Sequence, residues 1–183
     1  MLLLSAFLAL ASATHQAAGP LPIRQRGPRA AAGPPTFIPA GDSSIWYTGR
    51  TRINADATRS FDWEATQAHI NVAGATYVRA SINASAGILG RFICEVDGWE
   101  VSSFFVGGGN GATGGAQDFL CADDLYQTRH IRLIQVLEPS FSGASANGFF
   151  TFVGFTTDGT PAPPTPRARK IELVGDSISA GCA

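Results

Sequence analysis

Ala68-His69-Ile70-Asn71-Val72-Ala73-Gly74-Ala75-Thr76-Tyr77-Val78-Arg79-Ala80-Ser81-Ile82 holds two runs in which apolar residues fall at every second position. Successive side chains of an extended strand point to opposite faces, so each run predicts a strand with one buried and one wet face. Similar short segments surround it: Ile45 to Thr48, Thr51 to Ile53, Ser60 to Trp63, Phe92 to Val96 and Val101 to Phe105. Asn54-Ala55-Asp56 and Asp97-Gly98 are turn signals, the second placed to make a hairpin. His130 to Leu137 and Gly148 to Phe155 are apolar at nearly every position, as central strands covered on two faces require. Eight to ten strands and no helix between residues 43 and 156 predict an all-β protein, a jelly-roll-like β-sandwich.

Composition agrees with a globular chain. Hydrophobic residues make up 45% and charged residues 15% of 183, too apolar for disorder. The net charge of −1, with Arg spread singly, argues against a nucleic-acid partner. Met1 to Ala11 is an apolar run followed by Ala11-Ser12-Ala13, so residues 1–13 are expected to be a secretory signal. The run is too short for a membrane anchor, which needs about 20 residues, so a secreted product with no membrane partner is expected. Residues 14–42 are rich in Ala, Gly, Pro and Arg without periodicity and read as a disordered leader. The folded module is expected over 43–158, and a Pro-rich linker over 159–169.

An oxidising compartment permits a bridge between Cys94 and Cys121, although two buried free thiols fit equally well. Asn83-Ala84-Ser85 is an N-glycosylation sequon expected on a turn. Gly107 to Gly115 holds six glycines and reads as a flexible loop; it lacks the Lys-Ser/Thr ending of a phosphate loop. No His/Cys/Asp cluster has metal-ligand spacing, so neither a metal nor another cofactor is expected.

Beyond the linker, Lys170-Ile171-Glu172-Leu173-Val174 reads as a new strand closed by Gly175-Asp176-Ser177. A serine at the end of a strand, where the chain turns into a helix, projects its hydroxyl above the sheet edge. The N–H groups of the turn then face a developing oxyanion. Gly175 frees the turn, and small residues at Ser179, Ala180 and Gly181 leave room for a substrate. Alone, Gly-Asp-Ser is also an ordinary loop sequence, since Asp and Ser are common turn formers.

The longer string Ile171 to Gly181 resembles the first block of the SGNH (GDSL-type) hydrolases. Upstream, Trp46-Tyr47-Thr48-Gly49-Arg50-Thr51, Phe61-Asp62-Trp63, Gly148 to Phe155 and the Pro/Arg connector look like carbohydrate esterase family 2. That resemblance implies an N-terminal jelly-roll joined to an α/β SGNH domain, of which 170–183 would be the truncated start. It also implies removal of acetyl groups from polysaccharides such as xylan and glucomannan. Ser177 would be the catalytic nucleophile and an oxyanion donor, with Gly175 and Asp176 shaping the turn. Cys182 departs from the pattern, where an aromatic residue is expected. The family's base His and remaining oxyanion donors belong to later blocks, so these 183 residues alone are expected to hydrolyse nothing measurable. His15, His69 and His130 are expected to be structural or solvent-facing.

The alternative is a β-sandwich that binds carbohydrate without catalysis. Trp46, Trp63 and Trp99 are its candidate contacts, against the plainer expectation that at least two of them fill the core. Trp63 follows Phe61 in phase, whereas Trp99 follows a turn and is the expected exposed carbohydrate contact. A structural sandwich in which Gly175 to Ser179 is accidental is a third reading.

Overall fold

The structure is a computed structural model that describes residues 33–107, 115–136 and 148–165. The expected signal, most of the leader, the glycine-rich loop, Cys182 and the Gly175-Asp176-Ser177 motif lie outside the described residues. Within them the chain forms twelve strands and no helix: β1 (Thr36–Pro39), β2 (Trp46–Thr48), β3 (Thr51–Ile53), β4 (Arg59–Phe61), β5 (Gln67–Ala73) and β6 (Ala75–Ala84), then β7 (Leu89–Val96), β8 (Trp99–Gly107), β9 (Gln117–Leu125), β10 (Arg129–Gln135), β11 (Phe150–Thr157) and β12 (Thr160–Ala162).

All pairings are antiparallel, and they make two sheets packed as a jelly-roll-like β-sandwich. One sheet runs β3-β4-β11-β6-β9, with β1 also pairing β11. The other runs β12-β5-β10-β7-β8, with β2 also pairing β5. β5 and β6 bury Ala68, Ile70, Val72, Val78, Ala80 and Ile82, the apolar positions of the two alternating runs. β10 and β11 are both central, as their apolar character requires.

The continuous apolar run of β11 has a second cause. Its register with β6 shifts between Phe152 and Gly154, so Phe152 and Phe155 are both buried although three apart. Gly154 makes this irregularity possible. Its φ is 157°, and a Cβ there would sit 2.3 Å from the Ile38 carbonyl oxygen of β1. Rings join the sheets: Phe150 meets Phe92 edge-on at 5.1 Å, Phe152 meets Tyr47 at 6.3 Å, and Phe104 stacks on Phe119 at 4.3 Å. Burial pushes the Tyr47 phenol pKa up, against the pull of the Arg59 guanidinium, and its hydroxyl donates to the Ala40 carbonyl.

Several expectations need correction. The sandwich starts at Thr36, inside the stretch expected as leader, because β1 lies along β11 and buries Ile38. It ends at Ala162, inside the expected linker, because β12 pairs with the edge of β5. Pro161 is tolerated there since an edge strand can leave one side unpaired. Trp63 is 41% exposed, because β4 ends at Phe61 and the alternation does not carry beyond it. Trp46 is half-buried, so none of the three tryptophans fills the core.

Asp158 ties the end of β11 to the start of β6. Its buried carboxylate accepts the Thr76 N–H at 2.7 Å, the Thr76 hydroxyl, and the Tyr77 N–H at 3.4 Å. Burial alone would raise its pKa, but these donors outweigh it and hold the group below its ordinary value. Stability from Asp158 is therefore present above the ordinary carboxylate range and is lost as pH falls through the depressed folded value. Asp158→Ala is expected to cost about 2–3 kcal/mol in urea unfolding. Asp158→Asn should flatten the acid limb of the stability–pH curve; identical limbs in the two proteins would refute the assignment.

Cys94 of β7 and Cys121 of β9 are joined by a disulfide with Cα atoms 5.2 Å apart, linking the two sheets. It closes a loop of sequence separation 27. Loop-closure entropy then puts the expected loss in the double Cys→Ala variant at about 3.5 kcal/mol. An unchanged melting curve in that variant would contradict the linkage.

Candidate functional site

Asp97 and Gly98 both have positive φ, 52° and 91°, the backbone that a tight two-residue hairpin turn between twisted strands demands. They join β7 to β8 and place Trp99 at the first position of β8, opposite Val96. A register shift between Cys94 and Glu95 puts Val101 out of step and leaves Trp99 on the face of Val96, which packs against the core. Trp99 is nevertheless 61% exposed, since the hairpin tip reaches past the packed interior.

The opposite wall comes from β9. Cys121 and Ala122 are both buried, although adjacent, because the β6–β9 register shifts between Val78 and Arg79. The Ser102 hydroxyl of β8 donates to the Cys121 carbonyl at 2.8 Å and to that of Leu120 at 3.2 Å, clipping the two edge strands together. Between these walls lies a cleft of about 640 Å³, lined by apolar Val96, Trp99, Leu120 and Leu125 and by polar Asp97, Asp123, Asp124 and Arg129. Its volume is in the range of about 300–1,000 Å³ usual for ligand sites.

The polar lining is held in place. The Asp97 carboxylate receives Arg129 Nη1 at 2.8 Å and the His130 backbone N–H at 3.0 Å. Asp124, with φ 55°, accepts the Tyr126 hydroxyl at 2.7 Å. Among the described residues no three His, Cys, Asp or Glu side chains come together as a metal site.

A second cluster occupies the outer face of the sheet that contains β5 and β10. His69 Nδ1 lies 3.2 Å from His130 Nε2 with the rings stacked, and His69 Nε2 contacts the Thr48 hydroxyl. Trp46 lies against His69 with ring centroids 5.1 Å apart. His69 is thus only 5% exposed on what the alternation marks as a polar face. Arg132, its cross-strand neighbour, pairs with Glu95.

Of the residues singled out from sequence, Trp99 lines the cleft, and Cys121 of the disulfide forms part of its wall. Asn83 is not on a turn as expected: β6 extends through Ala84, so Asn83 is half-buried in the strand opposite Thr151, and it is not among the residues lining the cleft. Ser177, Gly175 and Asp176 lie outside the described residues. Sequence reasoning missed Leu120, Asp123, Asp124 and Arg129. The one signal was the pair Asp123-Asp124 close behind Cys121, interrupting an otherwise apolar run.

No protein-family model matches the sequence, and no curated protein matches it significantly. Among solved structures, the sandwich is similar to a family two carbohydrate esterase from Cellvibrio japonicus, at 24% identity and a TM-score of 0.63. That match covers 80% of this chain and 41% of that one. A family two carbohydrate esterase from Clostridium thermocellum, solved with cellohexaose, matches at 26% identity and a TM-score of 0.57, over 73% of this chain and 38% of its own. The acetyl xylan esterase Est2A from the rumen bacterium Butyrivibrio proteoclasticus matches in fold, at 14% identity and a TM-score of 0.58, over 74% and 35%. The resemblance to carbohydrate esterase family 2 read from the sequence is therefore matched by these structures, of whose length the chain spans about two fifths.

Proposed function

We propose that the chain is the N-terminal part of a secreted carboxylic ester hydrolase that removes acetyl groups from polysaccharides through a serine nucleophile. One observation carries the reading. A sandwich similar to those of family two carbohydrate esterases is followed in the sequence by Gly175-Asp176-Ser177. In the reaction the Ser177 hydroxyl would attack the acetyl carbonyl while a base takes its proton. The sugar oxygen would leave on collapse of the tetrahedral intermediate, and water would then release acetate from the acyl-enzyme. Asp176 would shape the turn and not serve as the triad acid. The two histidines of the described sandwich contact each other and Thr48 on the outer face of their sheet, and the resemblance places the family's base histidine in a later block.

Secretion is part of the same proposal and rests on residues 1–13. Among the described residues no helix is long and apolar enough to cross a membrane. A second reading, a carbohydrate-binding sandwich without catalysis, is favoured by the exposure of Trp99 and Trp63.

The decisive assay is acetate release from acetylated xylan and glucomannan by the protein expressed from its complete reading frame. Ser177→Ala is expected to lower that rate by about 10⁴-fold or more. The 183 residues alone should release no acetate. An unchanged rate in Ser177→Ala would remove the esterase reading, and retention on polysaccharide without hydrolysis would support the second one.

A further inference from the structure

We propose that the Trp99 cleft is a saccharide-binding site on the sandwich itself, built for a neutral polysaccharide chain. The proposal rests on the reading of the protein as carbohydrate-active and adds the site and the ligand class.

The hydrophobic effect would normally draw an indole inward, since burying a large apolar side chain is worth about 1.5–3 kcal/mol. Trp99 stays 61% exposed although it shares the core-side face of Val96. Two positive-φ residues before it fix the hairpin tip and so place the Trp99 backbone at the cleft that its side chain lines. A pyranose ring offers a C–H face and a rim of hydroxyls. The exposed indole can take the face, and side-chain oxygens near it can take the rim. The cleft supplies both within about 640 Å³.

The rim acceptors are pre-positioned. Asp97 is held by Arg129 and by the His130 N–H, and Asp124 by the Tyr126 hydroxyl. Groups already fixed lose little entropy when a ligand binds, which lowers the cost of accepting hydrogen bonds from a hydroxyl-rich partner. Ser102 and the disulfide hold the two walls together beneath them.

Charge chooses among polysaccharides. Asp97, Asp123 and Asp124 face one guanidinium, Arg129. A chain bearing carboxylates or sulfates would be repelled, and an uncharged chain would meet only hydrogen-bond acceptors and the ring. The ligand is therefore a neutral chain of the xylan, mannan or cellulose type, and not a polyuronate.

Affinity electrophoresis in gels cast with xylan, glucomannan, polygalacturonate or chitosan tests this directly on the 183-residue chain. The expected result is retardation by a neutral polysaccharide, insensitive to salt, and none by polygalacturonate. Trp99→Ala should weaken it by about tenfold or more. Asp124→Asn keeps a residue that tolerates positive φ and should weaken it with the melting temperature unchanged. Equal retardation of wild type and Trp99→Ala overturns the site. So does retardation confined to chitosan and abolished by salt, which would mark a plain acidic patch. Acetate release by the complete protein is measured in parallel. Hydrolysis with no retardation overturns the cleft and leaves the esterase reading standing. Salt-insensitive retardation without hydrolysis does the reverse.

Discussion

The two sheets are held at their separation by aromatic rings that reach across the interior from particular strands. Phe150 and Phe152 of β11 meet Phe92 of β7 and Tyr47 of β2, and Phe119 of β9 stacks on Phe104 of β8. Edge-on and stacked pairs of this kind add about 0.5–1.5 kcal/mol each beyond burial, and they demand fixed positions along the strands. β11 can supply Phe150, Phe152 and Phe155 to one interior because its register slips at Gly154. A side chain at Gly154 would drive β1 away, since the approach to Ile38 leaves no room for one. The register of β11 therefore fixes β1, β4 and β6 together.

At the other side of the molecule the same economy of register makes the cleft. Shifts in the β7–β8 and β6–β9 pairings turn the edge strands so that Cys94 meets Cys121. Ser102 bridges to the β9 backbone. Without the slip in β7–β8 the alternation would turn Trp99 to the opposite face, since one residue of shift reverses every side chain. Shape at the cleft is thus a consequence of strand pairing and not of a loop.

Much of this was legible because a period of two is a strong signal where one face is buried. Nine of the twelve strands follow from it, and the Asp97-Gly98 turn signal adds the hairpin with Trp99 just behind it. What escaped has physical reasons. β9 breaks the period, since its extra residue near Cys121 and its acids Asp118, Asp123 and Asp124 hide the alternation. With β9 unseen, the far wall of the cleft could not be inferred. β1 and β12 are short and proline-bearing, stabilised by a neighbour's edge more than by their own residues. His69 is buried on an outer face because Trp46, distant in sequence, is laid beside it by β2.

The placement of the cleft has one further consequence. In the sheet ordered β12-β5-β10-β7-β8, one edge is taken by β12, from which the described chain departs, with Asn71 donating to the Pro163 carbonyl. Trp99 belongs to β8, the opposite edge, with three strands between β12 and β8. An open edge strand is normally a liability, because its unpaired backbone groups invite another strand. Glu100 of β8, paired with Arg91 of β7, and the register shift beside it oppose such pairing. The Trp99 end of the strand is exposed to solvent. Among the described residues β8 has no strand on its outer side, and the indole at its tip is the group that the proposed saccharide chain would meet.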